Sequence, residues 1–125
     1  DIHYHLRRQR QMCIRDRSYG RQPVAVYRAM LEQIRQAHPL VPIFVVTPIF
    51  STREHYDQRF LLRSQSIRQV MSEAAQAVSN TCVIDGLTLL GADDWMGLST
   101  DGLHPNELGF NLIAERLSVP LGQVL

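Results

Sequence analysis

The segment Val41-Pro-Ile-Phe-Val-Val-Thr47, closed by Pro48, decides the fold. It is a short β-branched and aromatic run whose apolar residues are consecutive rather than alternate, so both faces of the strand it predicts are apolar. Strands of that kind belong inside a parallel sheet covered on both sides. The flanking patterns supply the cover. Upstream, from Pro23 to Ala37, Val24, Tyr27, Leu31 and Ile34 recur at spacings of three and four, with Arg28, Glu32, Gln33 and Arg35 on other faces. This predicts an amphipathic helix, with Pro23 suited to its first turn and His38-Pro39 ending it, because a residue before proline is pushed out of the α region. Downstream, the polar stretch from Ser51 to Asp57 reads as a linker. A second helical stripe follows, through Phe60, Ser64, Ile67, Met71, Ala74 and Val78, with Arg59, Arg63, Arg68 and Glu73 off it.

Thr81 to Ile84 predicts a second buried strand, closed by Asp85-Gly86, and Gly91 to Thr100 reads as a loop. A last helix is expected from about Pro105 to Ser118, with Leu108, Leu112 and Ile113 on its apolar side and Leu117 extending it. Helix, strand, helix, strand, loop, helix is the grammar of an α/β domain with parallel strands and right-handed crossovers. In open sheets of this class ligands sit beyond the carboxyl ends of the strands. The segments after Pro48, after Asp85 and around His104 all fall at that edge.

Composition needs one correction before it is used. The chain has 13 Arg, no Lys and 12 acidic residues. The run Arg7-Arg-Gln-Arg-Gln-Met-Cys-Ile-Arg-Asp-Arg17 resembles, codon for codon, a translated transposase adapter from short-read sequencing, and residues 1–17 are therefore read as foreign to the protein. The alternative, a basic arm that binds nucleic acid or anionic lipid, rests on charge alone. Without residues 1–17, eight basic and ten acidic groups remain in 18–125. That balance carries no nucleic-acid footprint and no polybasic membrane patch. Arginine in place of every lysine fits a GC-rich genome. No apolar run approaches the roughly 20 residues that span a bilayer. Of the two cysteines Cys13 lies in the adapter-like run, which leaves Cys82, read as a small buried hydrophobe in Thr81-Cys-Val-Ile84.

The chemistry-bearing motif is Asp101-Gly-Leu-His104-Pro105-Asn106. A histidine that takes a proton from a hydroxyl needs its tautomer fixed, and a carboxylate accepting from Nδ1 does this while leaving Nε2 free. Asp101 and His104, three residues apart, supply that pair on one turn. Pro105 is expected at the first helical position and Glu107 in the first turn, where negative charge suits the dipole. Asp101 also has a plainer reading as a capping or loop carboxylate. No Ser, Thr or Cys lies in the Gly-framed turn that exposes a nucleophile. Trp95 and Met96 have two readings, as walls of an acyl pocket or as loop residues packed on the last helix. Asp85, Asp93 and Asp94 with His104 lack regular metal-ligand spacing, so no metal site is expected. His38 reads as a helix terminus and His55 as a solvated loop residue.

On these residues the chain resembles the C-terminal part of the SGNH hydrolase superfamily, which includes the GDSL esterases and lipases. Asp101 to Phe110 is similar to the family's last conserved block, Asp-x-x-His-Pro with a downstream glycine, Gly109, and an aromatic. His38 to Phe50 resembles the strand after the third block, and Val83 to Gly91 resembles the run before the histidine in one subgroup. The resemblance covers residues 18–125. It implies a partial three-layer α/β/α, flavodoxin-like fold with parallel strands, lacking the N-terminal strands. It also implies a serine esterase acting on small-molecule carboxylic esters, acetyl and carbohydrate esters among them, with no cofactor. In that reading a serine from an N-terminal block attacks, His104 takes its proton and Asp101 orients the ring. The oxyanion hole, built in the family from the serine amide, a glycine and an asparagine, belongs to blocks not found here. Two further readings stand beside it: a non-catalytic SGNH-like domain that binds a ligand, and a piece whose strand edge at Val41 to Thr47, left unpaired, aggregates.

Overall fold

The structure is a computed structural model and describes residues 24–124; the adapter-like stretch, Cys13 and Pro23 lie outside the described residues. The element order is α1 (Val24–Ala37), β1 (Ile43–Val46), a 3₁₀ turn (Thr52–His55), α2 (Gln58–Gln76), β2 (Thr81–Ile84), α3 (Gly86–Leu89), a second 3₁₀ segment (Ala92–Gly97) and α4 (Glu107–Val124). The two strands pair in parallel, Ile43 opposite Thr81 and Val46 opposite Ile84. This is the mixed α/β architecture that the alternating periods predict.

One face of β1 carries the main core. Val45 buries itself among Tyr27 and Leu31 of α1 and Ala74, Ala75 and Val78 at the end of α2, with Ile43, Val70 and Met71 packed against them. Alternation puts Phe44 and Val46 on the opposite face, and their in-register partners Cys82 and Ile84 share it. Cover there is incomplete: Ile84 is buried, whereas Val46 is 40 % exposed and Cys82 is exposed. The expectation of a second buried strand with a buried Cys82 is thus corrected: in β2 only Ile84 is buried, and Cys82 and Val83, on opposite faces, are both exposed, because an apolar run gives the strand but not whether other elements cover its faces. A second, smaller cluster lies beyond the strands' carboxyl ends, where Phe50, Leu90 and Leu98 are buried with Ile49, Leu112 and Ile113 against them.

Local capping sets the element boundaries. The Asp57 side chain accepts from the Phe60 amide and starts α2. Asp85 accepts from the Leu87 amide at 2.9 Å and starts α3, a short helix where apolar spacing predicted no element. The last helix begins two residues later than expected, at Glu107. Pro105 forms an antiparallel bridge with Leu98, and Asn106 is the cap, its side-chain oxygen accepting from Gly109 N at 2.9 Å. The helix then continues past the expected Ser118 and through Pro120, which forgoes one helical hydrogen bond. Leu108, expected on its buried side, is 47 % exposed. Arg68, which lies off the apolar stripe of α2, is nearly enclosed in an ion pair with Glu54.

Candidate functional site

The loop that leaves β1 and the turn before α4 meet at the carboxyl edge of the sheet. Thr47 N donates to Ile84 O, so the chain leaves β1 beside the end of β2. Four residues on, the Ser51–Thr52 pair reaches the Asp101–His104 turn. The carbonyl of Gly102 accepts from Thr52 N at 3.0 Å and from Ser51 Oγ at 2.7 Å. This approach requires a glycine. Its φ is +68°, and a Cβ there would lie 1.8 Å from Thr52 Oγ1.

Within the turn, His104 Nδ1 lies 2.6 Å from Asp101 Oδ2. The other carboxylate oxygen accepts from Leu103 N at 2.8 Å and His104 N at 3.0 Å. The hydrogen bond from the imidazole, followed by those from the two amides, lowers the Asp101 pKa to about 2. An ionised carboxylate only accepts, so at neutral pH Nδ1 carries the proton and the lone pair of neutral His104 is on Nε2. The two side chains are 63 % and 48 % exposed, so the ring faces out from the edge rather than into packing. The pair that the spacing suggested is therefore formed.

Behind the ring the backbone is tied down. Ser99 N donates to His104 O at 2.7 Å, and Asn106 N donates to Gly97 O. The Asn106 side-chain amide reaches Met96 O at 2.8 Å and Leu98 O at 3.0 Å. Asn106, Gly102, Ser51 and Thr52 were not singled out from sequence. An Asn before the acidic first turn of a helix was the one readable signal among them.

The remaining candidates are placed apart from this pair. Trp95 and Met96 are 59 % and 60 % exposed. The reading of Trp95 as packed on the last helix is corrected, because the backbones of the two elements meet at Gly97 and Gly109 and leave the larger side chains outside. Asp94 holds Arg116 at 2.7 Å and the Gly91 amide at 3.0 Å, interactions that lower its pKa. With Asp85 capping α3 and Asp101 on His104, these carboxylates work at separate places. No group of three His, Cys, Asp or Glu among the described residues is placed to hold a metal ion. His38 ends α1, and the exposed His55 ring lies tilted against Phe50, centroids 5.1 Å apart. Phe50, Glu54, His55, Leu61, Leu87 and Asp93 line an open depression beside the Ser51–Thr52 loop. No described helix is long and apolar enough to cross a membrane.

Comparison with known proteins agrees with the motif. Residues 8–112 match the sequence model of the GDSL-like lipase/acylhydrolase family. No curated protein matches the chain. Among solved structures, a salicylyl-acyltransferase from a tetracycline biosynthetic pathway, SsfX3, superposes with a TM-score of 0.68 at 19% identity, covering 87% of this chain and 33% of its own. A GDSL-like lipase from Bacteroides ovatus superposes with a TM-score of 0.63 at 21% identity, covering 75% and 29%. The chain thus spans about a third of the length of these structures, with which it shares the fold. The family match extends over most of the sequence, including both strands and the Asp101–His104 turn, and the chain belongs to the GDSL-like lipase/acylhydrolase family.

Proposed function

We propose that this chain is the C-terminal part of a serine acylhydrolase domain beginning near Ser18, in which His104 is the general base and Asp101 its orienting acid. The observation that carries the reading is the 2.6 Å contact between Nδ1 and Oδ2, on a ring that stands open at the carboxyl edge of the sheet. On the family resemblance, the attacking serine and the oxyanion-hole donors are assigned to blocks upstream of Ser18. That serine's Oγ adds to the ester carbonyl as Nε2 takes its proton. The proton then passes to the leaving alcohol, and water repeats the cycle on the acyl-enzyme. Asp101, ionised down to about pH 2, balances the imidazolium formed in both steps. Small acyl esters, acetyl and carbohydrate esters included, are the substrate class, with water as the acceptor.

The test uses the longer reading frame that contains this segment. His104→Ala is expected to lower kcat/KM for p-nitrophenyl acetate by about 10⁴ or more, as loss of a triad base does. Turnover that is indifferent to His104 in that protein overturns the assignment and favours a ligand-binding domain. Residues 18–125 alone are expected to show no hydrolysis above their own His104→Ala control. His104-dependent turnover there would remove the need for an upstream serine.

A further inference from the structure

The Asp101–His104 pair is exposed, so its contact persists only while the turn keeps its shape, and nothing within the turn fixes where the ring sits relative to the sheet. The contacts from Ser99 and to Gly97 tie the turn to its own flanking segment. The long-range tether is the Gly102 carbonyl, which lies between acid and base in sequence and accepts from Thr52 N, Ser51 Oγ and, at 3.4 Å, Thr52 Oγ1. Ser51 is 2 % exposed and its Oγ also accepts from Arg53 N at 3.2 Å, so the hydroxyl has a fixed direction. The segment that carries it is held from behind by one guanidinium. Arg68 on α2 donates to Pro48 O and Ile49 O at 3.0 Å each, before Ser51, and to both carboxylate oxygens of Glu54, at 2.6 and 3.4 Å, after it. The Arg68 and Glu54 side chains are only 11% and 8% exposed. Enclosed ion pairs of this kind contribute little net stability compared with apolar residues of similar size, and their best-attested use is to fix one geometry.

We propose that Ser51, backed by the Arg68–Glu54 pair, is a positioning residue for His104. It holds the Gly102 carbonyl so that the turn keeps Asp101 on Nδ1 and presents Nε2 outward from the sheet edge. What the positioned ring does rests on the acylhydrolase reading; the positioning itself is measurable without turnover.

The experiment is nitrogen-15 NMR of the histidine rings in the 125-residue chain, with His104 assigned by difference from His104→Gln. Ring nitrogen shifts report the tautomer even when ring protons exchange with solvent. In the unaltered chain they are expected at the values of a single Nδ1–H tautomer. Ser51→Ala is expected to move them towards those of free histidine, and Ser51→Thr, which keeps the hydroxyl, to bring them back. Arg68→Lys keeps the charge but loses the fork and is expected to shift them part of the way. A folded Ser51→Ala chain with unchanged shifts overturns the proposal. If that variant does not fold, Thr52 amide exchange in the unaltered chain decides: protection supports the clamp, and exchange at the rate of an unstructured amide overturns it. In the longer reading frame Ser51→Ala should lower kcat while KM holds. Failure of the esterase reading shows as His104-independent turnover, whereas failure of this one shows in the nitrogen shifts.

Discussion

Two glycines in one helix should respond to alanine with opposite signs. Gly109 is in the first turn of α4, and a Cβ built on it would lie 2.0 Å from Gly97 O and 3.1 Å from Pro105 Cβ. Ordinary contact begins near 3.4 Å, so Gly109→Ala forces the start of α4 to withdraw by roughly 1 Å or more from a backbone carbonyl that has no rotamer to change. Overpacking of this kind costs about 1–3 kcal/mol, and alanine's helical preference over glycine returns at most ~1 kcal/mol. The net expectation is a loss of about 1–2 kcal/mol. Gly122, near the other end of the same helix, has nothing within 4 Å of its would-be Cβ. There only the propensity acts, and Gly122→Ala should add ~0.5 kcal/mol or a little more, reduced by fraying of the last turn. Urea unfolding followed by helical circular dichroism measures both. If the two variants shift the midpoint in the same direction, the close contact between α4 and the Ala92–Gly97 segment is not present in solution.

The ion pair behind the Ser51 loop gives a larger effect. Arg68→Met leaves the Glu54 carboxylate enclosed without its partner and should cost about 3–5 kcal/mol, whereas Arg68→Met with Glu54→Leu should recover most of it, a double-mutant cycle read by thermal unfolding. Asn106→Ala removes the cap of α4 together with the amide that bridges Met96 O and Leu98 O, and is expected to lower stability by ~1 kcal/mol or more in the same urea assay. Asp101 gives a pH signature. Its folded pKa, about 2, is below the ordinary 3.8, so the unfolded chain binds more protons between these values. The stability it contributes is complete above about pH 4 and is lost as pH falls through 2. Asp57 and Asp94 are depressed in the same direction, so the diagnostic comparison is with Asp101→Asn, whose stability should fall less between pH 5 and pH 2. An equal fall would show that the Asp101 contacts do not persist in solution.

How much of this was legible depends on the range of the interaction. The strand at Ile43–Val46 and the helices on either side of it follow from apolar spacing, which is a local property. The Asp101–His104 pair was legible for the same reason, since its partners are three residues apart and the carboxylate also takes up two amides of its own turn. Cys82 was misplaced because a strand's apolar run does not say which face is covered. The enclosure of Arg68 was not legible, because its spacing only puts it off the apolar stripe, while its length lets it reach back to two carbonyls some twenty residues earlier in the chain. Pro105 invited a helix start, but the extended bridge to Leu98 claims it, and the cap passes to Asn106.

The two halves of the molecule are held by different kinds of force. Between α1, α2 and β1 the buried core is apolar and cumulative, Ala74 and Ala75 being fully excluded from water, with Arg35 adding hydrogen bonds to Ser79 O and Asn80 O at its exposed rim, so stability there scales mainly with buried area and tolerates small adjustments. Beyond the strand ends the apolar cluster is small. The segments from Thr47 to Asp57 and from Ser99 to Asn106 are fixed instead by hydrogen bonds to named carbonyls, which are directional and fail with a displacement of less than an ångström. A base that must meet a reacting atom needs that second kind of support, because burial alone sets how tightly a loop is held but not where it points. Ser51, Gly102, Arg68 and Asn106 are all of this kind. Substitutions in the α1–α2 core are therefore expected to alter stability alone, and substitutions among these four to alter the position of His104 as well as stability.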